Sequence, residues 1–163
     1  MLLSEQAYKL IDKELAKYPA DQRRSATMSA LRIAQTEQGW ITPEIVEDVA
    51  RYIGIPAIAV QEVATFYNMF DLKPVGRFKV TVCTNLPCVL RDGVKTLDYL
   101  SQKLGIGVNE TTADGLITLK ESECLGACGD SPVVLVNNHH MCVRMTQERI
   151  DEMLEDIRKE AQV

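Results

Sequence analysis

Five cysteines carry the chemistry legible in this sequence: Cys83, Cys88, Cys124, Cys128 and Cys142. Four of them fall in two close pairs, C-x4-C and C-x3-C, with 35 residues between the pairs. Two short spacings of this kind are a ligand pattern and not a scatter. The odd count argues against a disulfide framework in a chain kept reduced. Uncoordinated, four gathered thiolates would repel one another and oxidise, so a metal is expected, as zinc or as an iron–sulfur cluster. Zinc ribbons favour C-x2-C knuckles, because both sulfurs must reach one small ion. The wider loops here suit a larger, planar two-iron core with two thiolates on each iron. The small residues of Leu125-Gly126-Ala127 and Gly129 let backbone N–H groups approach sulfur. Structural zinc is the alternative reading of the same spacing.

The elements that must position these thiols follow from the periodicity. The first 75 residues read as helix after helix. Ser4 caps a helix with Ala7, Leu10, Ile11 and Leu15 on one face, and Tyr18-Pro19-Ala20-Asp21 breaks it. A second helix is expected from near Ser25 to Gln38, stopped by Gly39. Thr42-Pro43-Glu44 starts a third, ending at Gly54. Ile55-Pro56 opens a fourth, to about Asn68. Asp71 to Gly76 reads as a linker. Beyond it the period changes to two: Phe78, Val80 and Val82 alternate with Lys79 and Thr81 in a strand ending at Cys83. A helix over about residues 88–104 follows, stopped by Gly105. Leu116 to Glu121 is a second strand, leading to Cys124. Val133 to Val136 and His139 to Val143 are two more strands, and Thr146 caps a last helix. The expected class is therefore α+β, with a small helical bundle over residues 1–75 and a βαβ–ββα domain over residues 76–163.

Topology then gathers the thiols. A strand–helix–strand unit of this length is normally a right-handed crossover between parallel strands. Parallel strands place their C-terminal ends on one edge of the sheet. Cys83 and Cys124 follow those two ends, and Cys88 and Cys128 lie in the same two loops. Ligands commonly bind at this edge of open α/β sheets.

Composition narrows the function classes. Hydrophobic residues make up 46% and charged residues 25% of 163 residues, as in ordinary globular chains. The formal net charge of −5 is evenly spread, with 10 acids and 8 bases in residues 1–75 and 13 and 10 in residues 76–163. There is no Lys/Arg stripe of the kind that neutralises nucleic-acid phosphates, so no nucleic-acid partner is expected. No apolar run approaches the ~18–20 residues of a membrane span. The N-terminus lacks a basic region followed by an apolar one, so a cytosolic chain is expected.

Certain segments are more than periodic. Glu62-Val-Ala-Thr-Phe-Tyr-Asn-Met-Phe70, Pro74-Val-Gly76, Val82-Cys-Thr-Asn-Leu-Pro-Cys88 and Glu123-Cys-Leu-Gly-Ala-Cys128 closely resemble the E subunit family of bacterial NADH–quinone oxidoreductase (complex I), the 24-kDa subunit family of mitochondria. The resemblance covers almost the whole chain in order. It implies a thioredoxin-like second domain holding one [2Fe–2S] cluster, with Cys83, Cys88, Cys124 and Cys128 as ligands. It further implies a partner subunit that binds FMN and NADH, single-electron exchange with that flavin, and contact through it with the larger iron–sulfur subunit. The chain would be part of an enzyme without holding a catalytic residue itself. Its place would be peripheral, on the cytoplasmic side of the inner membrane. An E-like subunit of an NAD-linked formate dehydrogenase or hydrogenase is the alternative within this class. A zinc-stapled interaction module is the alternative outside it. A thiol–disulfide oxidoreductase on this fold would need a C-x-x-C motif, which is missing. Two stretches depart from the family pattern. Ser131-Pro132 stands where Ala-Pro is common, and His139-His-Met-Cys-Val143 replaces a more acidic, tyrosine-containing stretch.

The remaining candidates read as structural. Cys142 is expected as a small hydrophobe on a strand. His139-His140 does not suit a Rieske pair, since neighbours on a strand point to opposite faces. Gly105-Ile-Gly107 follows a helix instead of opening one and is no dinucleotide loop. Thr65 to Phe70 is expected mainly as core, with docking to a partner as the second reading. Trp40 is expected to cap the bundle. Ser131-Pro132 is a candidate cis peptide, as thioredoxin-like folds often carry one there.

Overall fold

The computed structural model describes residues 1–162. Two compact units are present, Met1–Pro74 and a second beginning at Val75. In the first, α1 (Glu5–Leu15), α2 (Thr27–Gln38), α3 (Pro43–Ile53) and α4 (Ala57–Phe66) form a bundle. Ser4 caps α1 by accepting from the Ala7 N–H at 3.2 Å, and Thr42 caps α3 by accepting from the Ile45 N–H at 3.2 Å. Ile11, Leu31, Ile41, Val49, Ile53 and Val60 are buried together. Burying each such side chain contributes about 1.5–3 kcal/mol, and no cysteine belongs to this core.

Three boundaries of this unit differ from expectation. Helix α2 starts at Thr27, because Ala20–Ala26 winds as a 3-10 helix. Arg23 fixes that segment: its Nε donates to the Ile53 carbonyl at 2.6 Å, satisfying an end group that α3 cannot pair internally. Helix α4 ends at Phe66, since Tyr67 is extended. Asp71, expected in the linker, belongs to the bundle. It is buried, its N–H donates to Gln35 Oε1 at 2.7 Å, and its carbonyl accepts from the Ile41 N–H at 2.7 Å.

The second unit is a four-stranded sheet with helices. Its strands are β1 (Phe78–Cys83), β2 (Ile117–Ser122), β3 (Val133–Val136) and β4 (His140–Val143), in the order β2-β1-β3-β4. Strands β1 and β2 are parallel, whereas β1–β3 and β3–β4 are antiparallel. This is the βαβ–ββα order and the α+β class expected. Strand β1 is central and buried at every position. Val80, Val82, Leu119 and Val134 from the sheet share a core with Leu100, Ile150 and Leu154 from the helices.

The helix expected over residues 88–104 is broken. A single turn, α5 (Leu86–Val89), precedes α6 (Gly93–Leu104), and Asp92 between them is left-handed with φ 68°. Gly93 gives the physical reason. A Cβ there would lie 2.8 Å from the Cys88 carbonyl oxygen and 2.9 Å from that of Cys83, so the chain closes on itself only without a side chain. The last helix, α7 (Gln147–Ala161), is capped by Thr146 as expected. The Ser131-Pro132 peptide is cis.

Candidate metal centre

The in-register pairing of β1 with β2 ends at Cys83 opposite Ser122. Cys124 follows two residues later, so both loops leave the same edge of the sheet. Cys88 lies in α5, and Cys128 opens the one-turn 3-10 helix Cys128–Asp130. The structure thus brings the four paired cysteines to one sheet edge. Cys83 and Cys88 are buried, and Cys124 and Cys128 are exposed. The Sγ atoms of Cys124 and Cys128 are 3.4 Å apart. That is close to the ~3.7 Å edge of a tetrahedron with metal–sulfur bonds of about 2.3 Å. The thiols of Cys83 and Cys88 contact each other as a second pair. The four thiols thus form two pairs, one buried and one exposed.

Backbone N–H groups already point at sulfur. Gly126 N–H reaches Cys124 Sγ at 3.4 Å. Gly126 has φ 83°, a turn that a side chain would strain. The N–H groups of Asn85 and of Leu125, from the opposite loop, serve Cys83. These donors shape the acidities. Burial pushes the Cys83 thiol up, and its N–H donors only partly offset this. The Gly126 N–H draws the Cys124 thiol down. Cys128 is raised, first by its hydrogen bond with Cys124 and then by burial. Four cysteine sulfurs in two pairs, with N–H donors on Cys83 and Cys124, are what a cluster needs, so the residues present fit the group.

Four polar residues that sequence reasoning did not single out hold the loops together. Thr84 Oγ1 donates to Glu121 Oε1 at 2.6 Å, and Asn85 Nδ2 donates to Glu123 Oε2 at 2.6 Å. Each pair joins the first ligand loop to β2 or its continuation. No local pattern announces a pairing across 37 or 38 residues. Gly93 was also missed, although the Asp92-Gly93 dipeptide is a turn signal. Ser131, buried, bonds to both loops: its Oγ lies 3.4 Å from Cys88 Sγ and donates to the Cys128 carbonyl at 2.7 Å.

The other candidates lie elsewhere. Cys142 is half-buried on β4 against the sheet core, and burial raises its thiol. His140 pairs with Val136, which pairs with Val80, so the histidine end of β4 lies away from the Cys83 end of β1. His139 is exposed, with Nδ1 2.8 Å from the Asn137 carbonyl. Gly105 is the left-handed C-cap of α6. The core expectation for Thr65 to Phe70 holds only for Phe70: Phe66 is 79% exposed, and Tyr67 and Met69 are also exposed. Helix α4 turns Phe66 outward because its buried positions are Ala59, Val60 and Ala64. Trp40 is half-buried beside the end of α2.

Fold and family together define a class, the thioredoxin-like [2Fe–2S] ferredoxins, and the fold gathers four cysteines at the C-terminal edge of two parallel strands. The chain belongs to the thioredoxin-like [2Fe–2S] ferredoxin family, whose model matches residues 11–158. Curated relatives are more specific. The chain is 39% identical over 148 residues to NADH-quinone oxidoreductase subunit 2 of Thermus thermophilus, covering 91% of this chain and 82% of that one. It is 41% identical over 148 residues to the E 2 subunit of the NADH-quinone oxidoreductase of Rhizobium meliloti, covering 91% and 86%. It is 38% identical over 152 residues to the E subunit of the NADH-quinone oxidoreductase of Rickettsia conorii, covering 93% and 90%. Among solved structures, an NAD+-reducing [NiFe]-hydrogenase in the H2-reduced state matches with a TM-score of 0.69 at 20% identity, covering 84% of this chain and 22% of that chain. That likeness establishes the fold. No helix of the described residues is long and apolar enough to cross a membrane.

Proposed function

We propose that the chain is the electron-transfer subunit of an NADH:quinone oxidoreductase and holds one [2Fe–2S] cluster on Cys83, Cys88, Cys124 and Cys128. The observation that carries this reading is the pairing of the thiols at the parallel sheet edge, with N–H donors aimed at Cys83 and Cys124. When bound, such a cluster takes up and releases one electron at a time. The buried Cys83 and Cys88 and the exposed Cys124 and Cys128 would hold it. The Asn85, Leu125 and Gly126 N–H groups stabilise charge on sulfur. The buried side keeps water from half of the ligand set.

With NADH as the ultimate donor, another chain would bind it and do the two-electron chemistry. The relatives' names speak of an assembly that passes electrons from NADH to a quinone. The family resemblance implies the class of partner within it, a subunit binding FMN and NADH. Leu86 and Leu90, 68% and 75% exposed, stand on the loop that carries Cys88. They suit coverage by a partner surface.

The test is iron and acid-labile sulfide per chain on anaerobically purified protein, with EPR after dithionite reduction. About two irons, about two sulfides and a rhombic spin-half signal are expected for this centre. One zinc with no sulfide would overturn the reading and leave a metal-stapled adaptor. Reduction of the loaded chain by NADH only in the presence of the flavoprotein subunit would establish the partner.

A further inference from the structure

We propose that Ser131 is a positioning residue for this centre: its hydroxyl donates to the Cys88 sulfur and raises the reduction potential. The inference rests on the reading that Cys88 ligates iron. Ser131 and Cys88 are each 1% exposed, so water does not serve the contact between them. Their Oγ and Sγ atoms are 3.4 Å apart. The same Oγ is 2.7 Å from the Cys128 carbonyl, so one serine touches a residue of each ligand loop. Its backbone is extended between the Cys128–Asp130 turn and β3.

A hydroxyl has one proton and two lone pairs and rotates to suit its neighbours. While Cys88 is a thiol, it gives its proton to Ser131 Oγ, and the hydroxyl gives its own to the Cys128 carbonyl. A metal-bound thiolate has no proton to give. Oxygen and sulfur lone pairs would then face each other in a dry site, and an unpaired buried acceptor is costly. Rotation of the hydroxyl toward Cys88 replaces that repulsion with a charge-assisted hydrogen bond. The carbonyl that is released belongs to an exposed residue at the edge of the site, in contrast to the dry Cys88 sulfur. A donor on sulfur stabilises the more negative, reduced centre more than the oxidised one, which raises the potential.

The test is Ser131→Ala in the full chain, loaded with iron and sulfide. The iron and sulfide content should stay as in the parent chain. The one-electron equilibrium should shift three- to tenfold toward the oxidised state, a tenfold shift being 59 mV. Pulsed EPR of the reduced protein in H2O and D2O should show one fewer proton that exchanges at once, as a hydroxyl does and a buried N–H does not. If either the potential or the exchangeable-proton signal is unchanged, the proposal is overturned. If the variant binds no iron, Ser131→Thr, which keeps a hydroxyl, decides: the parent's potential and exchangeable-proton signal support the proposal, and a loaded chain with either of them changed as expected for a lost donor overturns it. A parent chain that holds no iron would instead overturn the ligand set.

Discussion

Cys88 and Cys142 are both cysteines on buried or half-buried backbone, yet their surroundings assign them different work. Cys88 faces Cys83 and Ser131, whereas Cys142 packs against aliphatic side chains of the sheet. Cys88→Ala should abolish iron and sulfide retention. Cys142→Ala should keep both and change stability by about 1 kcal/mol; metal analysis of the two variants checks this. Gly93 is the second position where one atom decides the outcome. In Gly93→Ala the added Cβ meets two backbone carbonyls under 3 Å away, which cannot swing aside as a side chain could. We expect a loss of about 1–3 kcal/mol in urea unfolding, together with lower iron content, because the obstructed carbonyls belong to Cys83 and Cys88.

At the scale of elements, the two cysteine loops are tied to each other. The Thr84–Glu121 and Asn85–Glu123 hydrogen bonds join them where the ladder between β1 and β2 ends. Asn85→Ala and Glu123→Ala should each speed iron release to a chelator several-fold. The double variant should release it no faster than either single one, since both remove the same bond. A different tie holds α1 to α3. The Tyr8 hydroxyl donates to the buried Asp48 carboxylate, which also accepts from the Leu2 N–H at 3.2 Å. Burial opposes the charge on Asp48, but these hydrogen bonds together with the nearby N-terminal ammonium outweigh it, and its pKa falls below the ordinary carboxylate value. A lowered folded-state pKa adds stability that is fully present above the unfolded value of about 3.9. That stability is lost as pH falls through the folded value. Asp48→Asn should remove this part of the acid dependence of the bundle, read by helical circular dichroism against pH.

The molecule as a whole consists of two units with separate cores, and only one of them carries the thiols. A ligand that binds only the folded form stabilises the part it binds. Removing iron should therefore increase hydrogen exchange in β1, β2 and the loops around Cys83 to Cys88 and Cys124 to Cys128. Exchange in α1 to α4 should stay as it was. Mass spectrometry of the loaded and the stripped chain reads both at once.

Much of this was legible before any coordinates. The helix caps at Ser4, Thr42 and Thr146, the alternation of Phe78, Val80 and Val82, and the two cysteine spacings are local patterns, and local hydrogen bonding and side-chain period enforce them. The parallel crossover follows from chain handedness, and it carries Cys83 and Cys124 to one edge. What the tertiary structure alone decided depends on residues far apart in sequence. The close approach of the Cys83 and Cys88 carbonyls breaks the helix at Asp92-Gly93. Packing of Ala59, Val60 and Ala64 turns Phe66 outward. Ser131 meets Cys88 across 43 residues. No spacing encodes such contacts, because burial and hydrogen-bond partners are properties of neighbours that only the folded chain brings together.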